Sequence, residues 1–325
     1  MITTDALLPY KVGGLLYTPA LNTHISEKIK TKAIEGLSSV AFCLEDSIED
    51  GALSQAEHEL CKSLEQLSDC SDLPLLFVRA RTPLHLKKVH QMLGGLSDVL
   101  CGYILPKFDL SNAERYFDLL YSFNATRHTK LFYMPILESG MVANIIHRRE
   151  NLVQIKAVMD ANKDHILNVR VGGNDFCNLF GVRRHANQTI YDIGVIRDVL
   201  SDIVNVFGAD YVVSGPVWEY FGNDPNEPWA DGLRKEMSLD LINGFVGKTA
   251  IHPSQLPIIL KCMQPSQSDF EDAKRILGWE SDGKAVQKSA NGTRMNEQKC
   301  HTRWAKKIAA LAEIYGVVEE RNQIE

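Results

Sequence analysis

Long apolar runs are missing from this sequence: the longest, such as Leu73 to Val78, are strand-sized, far short of the ~20 residues of a membrane span. Basic charge is not in excess either. Of 325 residues, 35 are Lys or Arg and 41 are Asp or Glu, a formal net charge of −6. The clustered cations that carry nucleic-acid affinity are therefore absent, and neither nucleic acid nor membrane is expected as a partner. No C-x-x-C occurs. The seven cysteines (Cys43, Cys61, Cys70, Cys101, Cys177, Cys262, Cys300) are odd in number and widely spaced, which speaks against a disulfide framework and a structural zinc site. No G-x-G-x-x-G follows the first strand, which argues against an open dinucleotide-binding sheet. The opening residues, Met1 to Asp5, hold no basic segment leading into an apolar one, so the expected compartment is a reducing cytoplasm.

What is present is a rhythm. With 45% hydrophobic and 23% charged residues the chain is globular in composition. Short β-rich runs recur at 15–18, 40–44, 75–80, 102–106, 131–137, 166–172, 211–214 and 247–251. Amphipathic segments follow them at 25–34, 52–67, 83–93, 111–122, 141–160, 193–207 and 229–243. Ser111 followed by Glu114 reads as a capping box. Most of the strands are continuous apolar runs, as parallel strands buried on both faces require. This predicts the α/β class, a (β/α)8 TIM barrel over 1–277, with a C-terminal helical extension over 278–325. Residues 278–296 read as a polar, mobile linker, and the helix beyond presents Trp304, Ile308, Leu311 and Tyr315 on one stripe.

Chemistry in such a barrel sits at the C-terminal strand ends. Here those ends carry Glu45 and Asp46, Arg79 and Arg81, Lys107, Glu138, the run Gly172-Gly173-Asn174-Asp175, and His252. Glu138 and Asp175 terminate consecutive strands ~4.8 Å apart, so the two carboxylates can share a hard divalent cation. The alternative is that each only caps the helix beginning beside it. Arg79 can hold a substrate carboxylate by its fork, or stiffen the rim by pairing with Glu45 or Asp46. Lys107 suits a carboxylate-binding cation, a Schiff-base amine or a structural ion pair. His252 suits structural hydrogen bonding at the barrel top.

These residues resemble the citrate lyase β-subunit/malyl-CoA lyase branch of the HpcH/HpaI aldolase superfamily over most of the chain. Leu16-Tyr17-Thr18-Pro19 is similar to its first strand. Phe42-Cys43-Leu44-Glu45-Asp46-Ser47 is similar to its "DLEDA" strand, with Cys43 in place of the leading Asp. Val78-Arg79 with Arg81, Ile104-Leu105-Pro106-Lys107, Ile136-Leu137-Glu138-Ser139 and Val171-Gly172-Gly173-Asn174-Asp175-Phe176 resemble "VRVN", "PK", "IES" and "FGxxDL". The most specific match is 247–255, Gly247-Lys248-Thr249-Ala250-Ile251-His252-Pro253-Ser254-Gln255, similar to "GKxxIHPxQ". Residues 141–160, 217–220 and 300–304 look like a divergent branch associated with tellurite-resistance-type gene clusters, and no clear CoA-binding signature is seen.

The resemblance implies a carbon–carbon bond lyase or aldolase that uses Mg2+ or Mn2+. It acts on a small 2-oxo or hydroxy acid, or its thioester, through a metal-stabilised enolate. Carried over, Glu138 and Asp175 bind the metal, and Arg79 takes the substrate carboxylate, organised by Glu45 and Asp46. Lys107, Gly173 and Asn174 complete the substrate contacts, and Glu297 is the candidate acid/base. A Schiff-base aldolase on Lys107 and a catalytically silent metabolite- or partner-binding barrel are the alternatives. Because a closed barrel does not need the C-terminal stripe for its core, a homo-oligomer is expected, with 278–325 packing on a neighbour, folding back onto its own barrel being the alternative; the resemblance implies a trimer or higher.

Overall fold

Apolar runs buried on both faces pair edge to edge, and in the computed structural model, which describes residues 4–280 and 283–318, seven strands form one parallel sheet. These are β1 (Gly14–Pro19), β2 (Ser39–Cys43), β3 (Leu75–Arg79), β4 (Gly102–Leu105), β5 (Phe132–Leu137), β6 (Arg170–Val171) and β7 (Lys248–Ala250). Their order is β6-β5-β4-β3-β2-β1-β7. Residues 212–215 close the ring between the two ends: Val213 bridges Val169 and Gly215 bridges Lys248, both in parallel. The expected seventh strand, 211–214, is thus reduced to isolated bridges. Pro216 follows at once and has no N–H to extend the ladder. The result is the eightfold order of a TIM barrel.

Helices follow the strands. In the barrel they are α2 (Ile25–Lys30), α3 (Leu53–Leu67), α4 (Pro83–Leu93), α5 (Ala113–Asn124), α6 (Gly140–Ala143), α7 (Arg148–Asp160), α8 (Gly173–Phe180), α9 (Gly194–Phe207) and α10 (Pro228–Ile242), with α1 (Thr4–Lys11) preceding β1. Helix α3 shows why they dock: Ala56, Leu60, Leu64 and Leu67 fall on one stripe and are fully buried. Two expectations need correction. The single helix over 141–160 is broken between α6 and α7, where Asn144 takes an extended backbone. The capping box at Ser111 does not form: the Asp109 side chain accepts both the N–H and the hydroxyl of Ser111, and α5 starts after Asn112.

The chain divides into two compact units, Val12–Ile259 and the N-terminal helix together with the chain from Leu260 onward. The second unit holds α1, α12 (Gln267–Leu277) and α13 (Gln298–Tyr315), with α11 (Leu256–Met263) crossing the boundary. The expected boundary at 277/278 therefore moves to 259/260. The reason is packing: Ala273 and Ile276 of α12 form one apolar cluster with Ala305 and Ile308 of α13, flanked by Phe270 and Trp304. The stretch read as a linker carries an antiparallel hairpin, β8 (Val286–Lys288) with β9 (Met295–Glu297). Arg294 ties it to α12 through Asp272 at 2.7 Å and Asp269 at 2.6 Å. Residues 281–282 and 319–325 of the expected extension lie outside the described residues.

Candidate active site

The C-terminal ends of the barrel strands surround a cavity of about 370 Å3. Its lining includes Asp46, Arg79, Glu138, Gly173, Asn174 and Asp175. Glu45 and Lys107 lie outside that lining and pair with each other, Lys107 Nζ to Glu45 Oε1 at 2.5 Å.

Arg79 ends β3 and is buried at 6% exposure. Its Nη2 reaches Glu45 Oε2 at 2.7 Å, Asp46 Oδ2 at 2.9 Å and Glu138 Oε1 at 3.5 Å. Its guanidinium carbon lies 5.7 Å from the centre of the Tyr17 ring. Burial opposes the charge, but Tyr17, Glu138 and Glu45 outweigh it and hold Arg79 firmly cationic. Nε has no hydrogen-bond partner, and Nη1 has only a long contact to Cys43 Sγ at 3.9 Å. Arg81 points elsewhere, donating to the carbonyls of Leu44 and Ile48 and pairing with Asp50.

Glu138 follows β5 and does not cap α6; its Oε1 accepts the N–H of Lys107 at 2.9 Å. Lys107 makes that bond from a left-handed backbone, φ 49°. Burial pushes the Glu138 carboxyl up to about 8, against the pull of Arg79, and the neighbouring Asp175 carboxylate adds to the rise. Asp175 stands in the first turn of α8. The close approach needs Gly172, where a methyl group would run into the Glu138 side chain. At Gly173 it would meet Pro216 Cβ at 2.7 Å. Gly173 and Asn174 open α8, whose first-turn N–H groups and dipole favour negative charge.

Burial also raises the Glu45 carboxyl above its ordinary value despite Arg79. In Asp46, burial is outweighed by the hydrogen bond with Glu45 and by Arg79 and Lys107, which hold it low. Lys107 is raised: burial opposes its charge, but the bond to Glu45 and the surrounding acids win. A lysine held protonated is a poor Schiff-base nucleophile.

The run at 247–255 supplies framework more than cavity wall. Lys248 is fully buried and pairs with Glu236 at 2.9 Å and Asp240 at 2.7 Å. Gln255 Oε1 accepts the N–H groups of Ile251 and His252. Its Nε2 donates to the carbonyls of Trp218 and Tyr220. His252 accepts the N–H of Ser254 and stacks on Phe221, the structural role expected of it. Glu297 closes β9 in the terminal unit, its N–H donating to His301 Nδ1.

Among the lining residues that were not expected site residues are Tyr17, Arg170 and Thr249. Tyr17 and Thr249 lie inside strands, and Arg170 opens β6, so none follows a strand's C-terminal end. Arg170 carried a signal nonetheless: one cation within the otherwise uncharged run 166–172 of a strand buried on both faces.

The chain matches the family described as C–C bond lyase of the TIM-barrel fold over residues 6–317. The citrate lyase subunit beta of Leuconostoc mesenteroides subsp. cremoris is 23% identical over 288 residues, 87% of this chain and 86% of the relative. Among solved structures, CitE from Mycobacterium tuberculosis in complex with magnesium, acetoacetate and coenzyme A superposes with a TM-score of 0.63 at 20% identity. That match covers 93% of this chain and 99% of the other. The same protein with magnesium and pyruvate gives 0.55 at 22% identity, covering 79% and 93%. RipC from Yersinia pestis gives 0.56 at 17% identity, covering 80% and 99%. With its eight-membered parallel ring and a family match running nearly end to end, the chain belongs to the C–C bond lyases of the TIM-barrel fold.

Proposed function

We propose that this protein is a magnesium-dependent carbon–carbon bond lyase or aldolase acting on a small 2-oxo or hydroxy acid or its thioester. One observation carries the reading: two carboxylates, Glu138 and Asp175, are pressed together in a cavity, and burial lifts Glu138 to about 8. Such a pair suits a cation, and one or two carboxylates are what magnesium commonly takes from a protein. The magnesium and small acids held by the mycobacterial CitE support a magnesium-dependent reading.

Glu138 and Asp175 would hold the ion. Bound there, magnesium would supply Lewis-acid polarisation of a 2-oxo acid's carbonyl. Arg79 offers Nη1 to the substrate carboxylate, while Glu45 and Asp46 fix its Nη2. The first turn of α8, through Gly173 and Asn174, favours the anionic end of the acid. Lys107 keeps Glu45 in place by ion pairing and orients Glu138 through its backbone N–H.

In calorimetry, Glu138→Gln and Asp175→Asn should each lose magnesium binding while melting as cooperatively as the wild type. Unchanged magnesium affinity in both variants would sink the assignment. EDTA should abolish lyase activity, and borohydride in the presence of pyruvate should leave Lys107 unmodified. A trapped Lys107 adduct would replace this reading with the Schiff-base one.

A further inference from the structure

Five Arg or Lys residues are buried among the described residues: Arg79, Arg148, Arg170, Arg184 and Lys248. Four have carboxylate partners. Arg79 has Glu45 and Asp46, Arg148 has Asp202 at 2.8 Å, Arg184 has Glu236 at 3.1 Å, and Lys248 has Glu236 and Asp240. Arg170, at 1% exposure, has none among the described residues. Its Nη2 donates to Thr249 Oγ1 at 2.6 Å, and the Tyr17 hydroxyl is its other hydrogen-bonding neighbour. Nε and Nη1 are buried with no hydrogen-bond partner. A guanidinium taken out of water without a counter-ion or acceptors is costly, and buried charges are as a rule paired.

The register says where this charge sits. Arg170 pairs with Ile136, and Glu138 comes two residues later, so with a side-chain period of two Arg170 lies one inward layer below Glu138. Both line the same cavity, with Tyr17 and Thr249. Two residues of strand span roughly 7 Å, a distance that a four- or five-carbon dicarboxylate bridges.

We infer that Arg170, with Tyr17 and Thr249, forms a second anion subsite on the cavity floor, and that the acid bound here is a dicarboxylate. The inference rests on the proposed reading for the first carboxylate and on the unpaired Arg170 for the second. The incoming carboxylate supplies the missing counter-charge, and the planar guanidinium with two hydroxyls beside it suits a carboxylate. Arg170 thereby selects dicarboxylic over monocarboxylic acids.

The test uses the full-length protein in two arms. In EDTA, succinate and 2-oxoglutarate should raise the Tm of the wild type more than pyruvate does, and Arg170→Met should lose that difference. In magnesium, the wild type should bind 2-oxoglutarate at least roughly tenfold more tightly than pyruvate, and Arg170→Met should bind the two alike. Arg170→Lys keeps the charge and should retain part of the preference, so a folding failure of the Met variant leaves the proposal testable. Equal affinities in the wild type, or a preference that survives in Arg170→Met, overturn the subsite. Stronger stabilisation by inorganic phosphate than by succinate overturns the carboxylate assignment. If magnesium tightens neither acid while the Arg170-dependent preference persists, the lyase reading fails and the subsite stands. If magnesium tightens both acids while the wild type and Arg170→Met show the same preference between them, the lyase reading stands and the subsite fails.

Discussion

Arg79 brings three acids to one nitrogen. Because Nη2 is committed to Glu45, Asp46 and Glu138, the substrate has to use the other donors of the fork, and a lysine ammonium cannot serve both groups at once. Arg79→Lys should therefore weaken 2-oxo acid binding by about 1.5–3 kcal/mol, the worth of a hydrogen bond to a charged group, with magnesium binding retained. Isothermal titration with pyruvate in saturating magnesium measures this directly; an unchanged affinity would leave Arg79 a purely structural cation. At this scale the sequence revealed the rim of the cavity more readily than its floor. Asp46, Arg79, Glu138 and Asp175 are visible because ionisable residues follow apolar runs there. Tyr17 and Thr249 are invisible because a hydroxyl within a strand looks like any other inward residue. Cys43, where relatives are expected to carry an Asp, proves to be a buried thiol contacting Arg79.

Between elements, two polar contacts carry stability that the cavity does not need. His90 of α4 stacks on Phe123 of α5, ring centres 3.6 Å apart, and shares a 2.8 Å hydrogen bond with the Tyr103 hydroxyl of β4. Burial, with Arg127 adding to it, lowers the imidazole to about 4. The unfolded ring takes up a proton near pH 6.5 and the folded ring only near 4, so protons favour the unfolded chain in that window. Stability should fall as pH drops from 6.5 to 4, and be indifferent to His90 above it. The ring is partly exposed, so the loss is on the order of 1–2 kcal/mol. Urea midpoints at about pH 7.5 and about pH 5 should diverge less in His90→Asn than in the wild type. Lys248 of β7 is the second contact, locked to Glu236 and Asp240 of α10. Lys248→Met leaves Asp240 buried with only the Tyr191 hydroxyl, and should cost about 3–5 kcal/mol. A Tm equal to wild type would refute that. Element boundaries were readable in the sequence where periodicity ran on, as at α3, α4 and α9. They were misread where a side chain competed for the backbone, as Asp109 does at the start of α5.

For the chain as a whole, the expected oligomer loses its original motive. Ile308 and Leu311 of the C-terminal stripe are buried within the terminal unit, and Trp304 packs against the cluster shared by α12 and α13. Periodicity can mark an apolar face but cannot name its cover, and α12 covers its Trp304 and Ile308. The barrel ring has a different peculiarity, at residues 212–215. From β1 to β5 the strands are laced by continuous ladders, whereas this segment is held to Val169, just before β6, by the bonds of Val169 to Val212 and of Ser214 to Val169. Toward β7 its backbone bonds are those of Val246 to Val213 and of Gly215 to Gly247, and the Ser214 hydroxyl also donates to the Val246 carbonyl. A hoop with one thin stave opens there first, and local opening needs only the few bonds it breaks. In native-state hydrogen exchange, the Ser214 and Gly215 amides should exchange well before those of β1 and β2, by a sub-global route that leaves the rest of the barrel protected. Protection equal to that of β2 would mean the hoop opens only as a piece. Pro216, which ends the thin stave, also abuts Gly173 in the cavity wall. Breathing at this point would loosen one side of the cavity while the far side, built on β2 and β3, stays rigid, giving a small acid a way in and out that leaves the charged wall undisturbed.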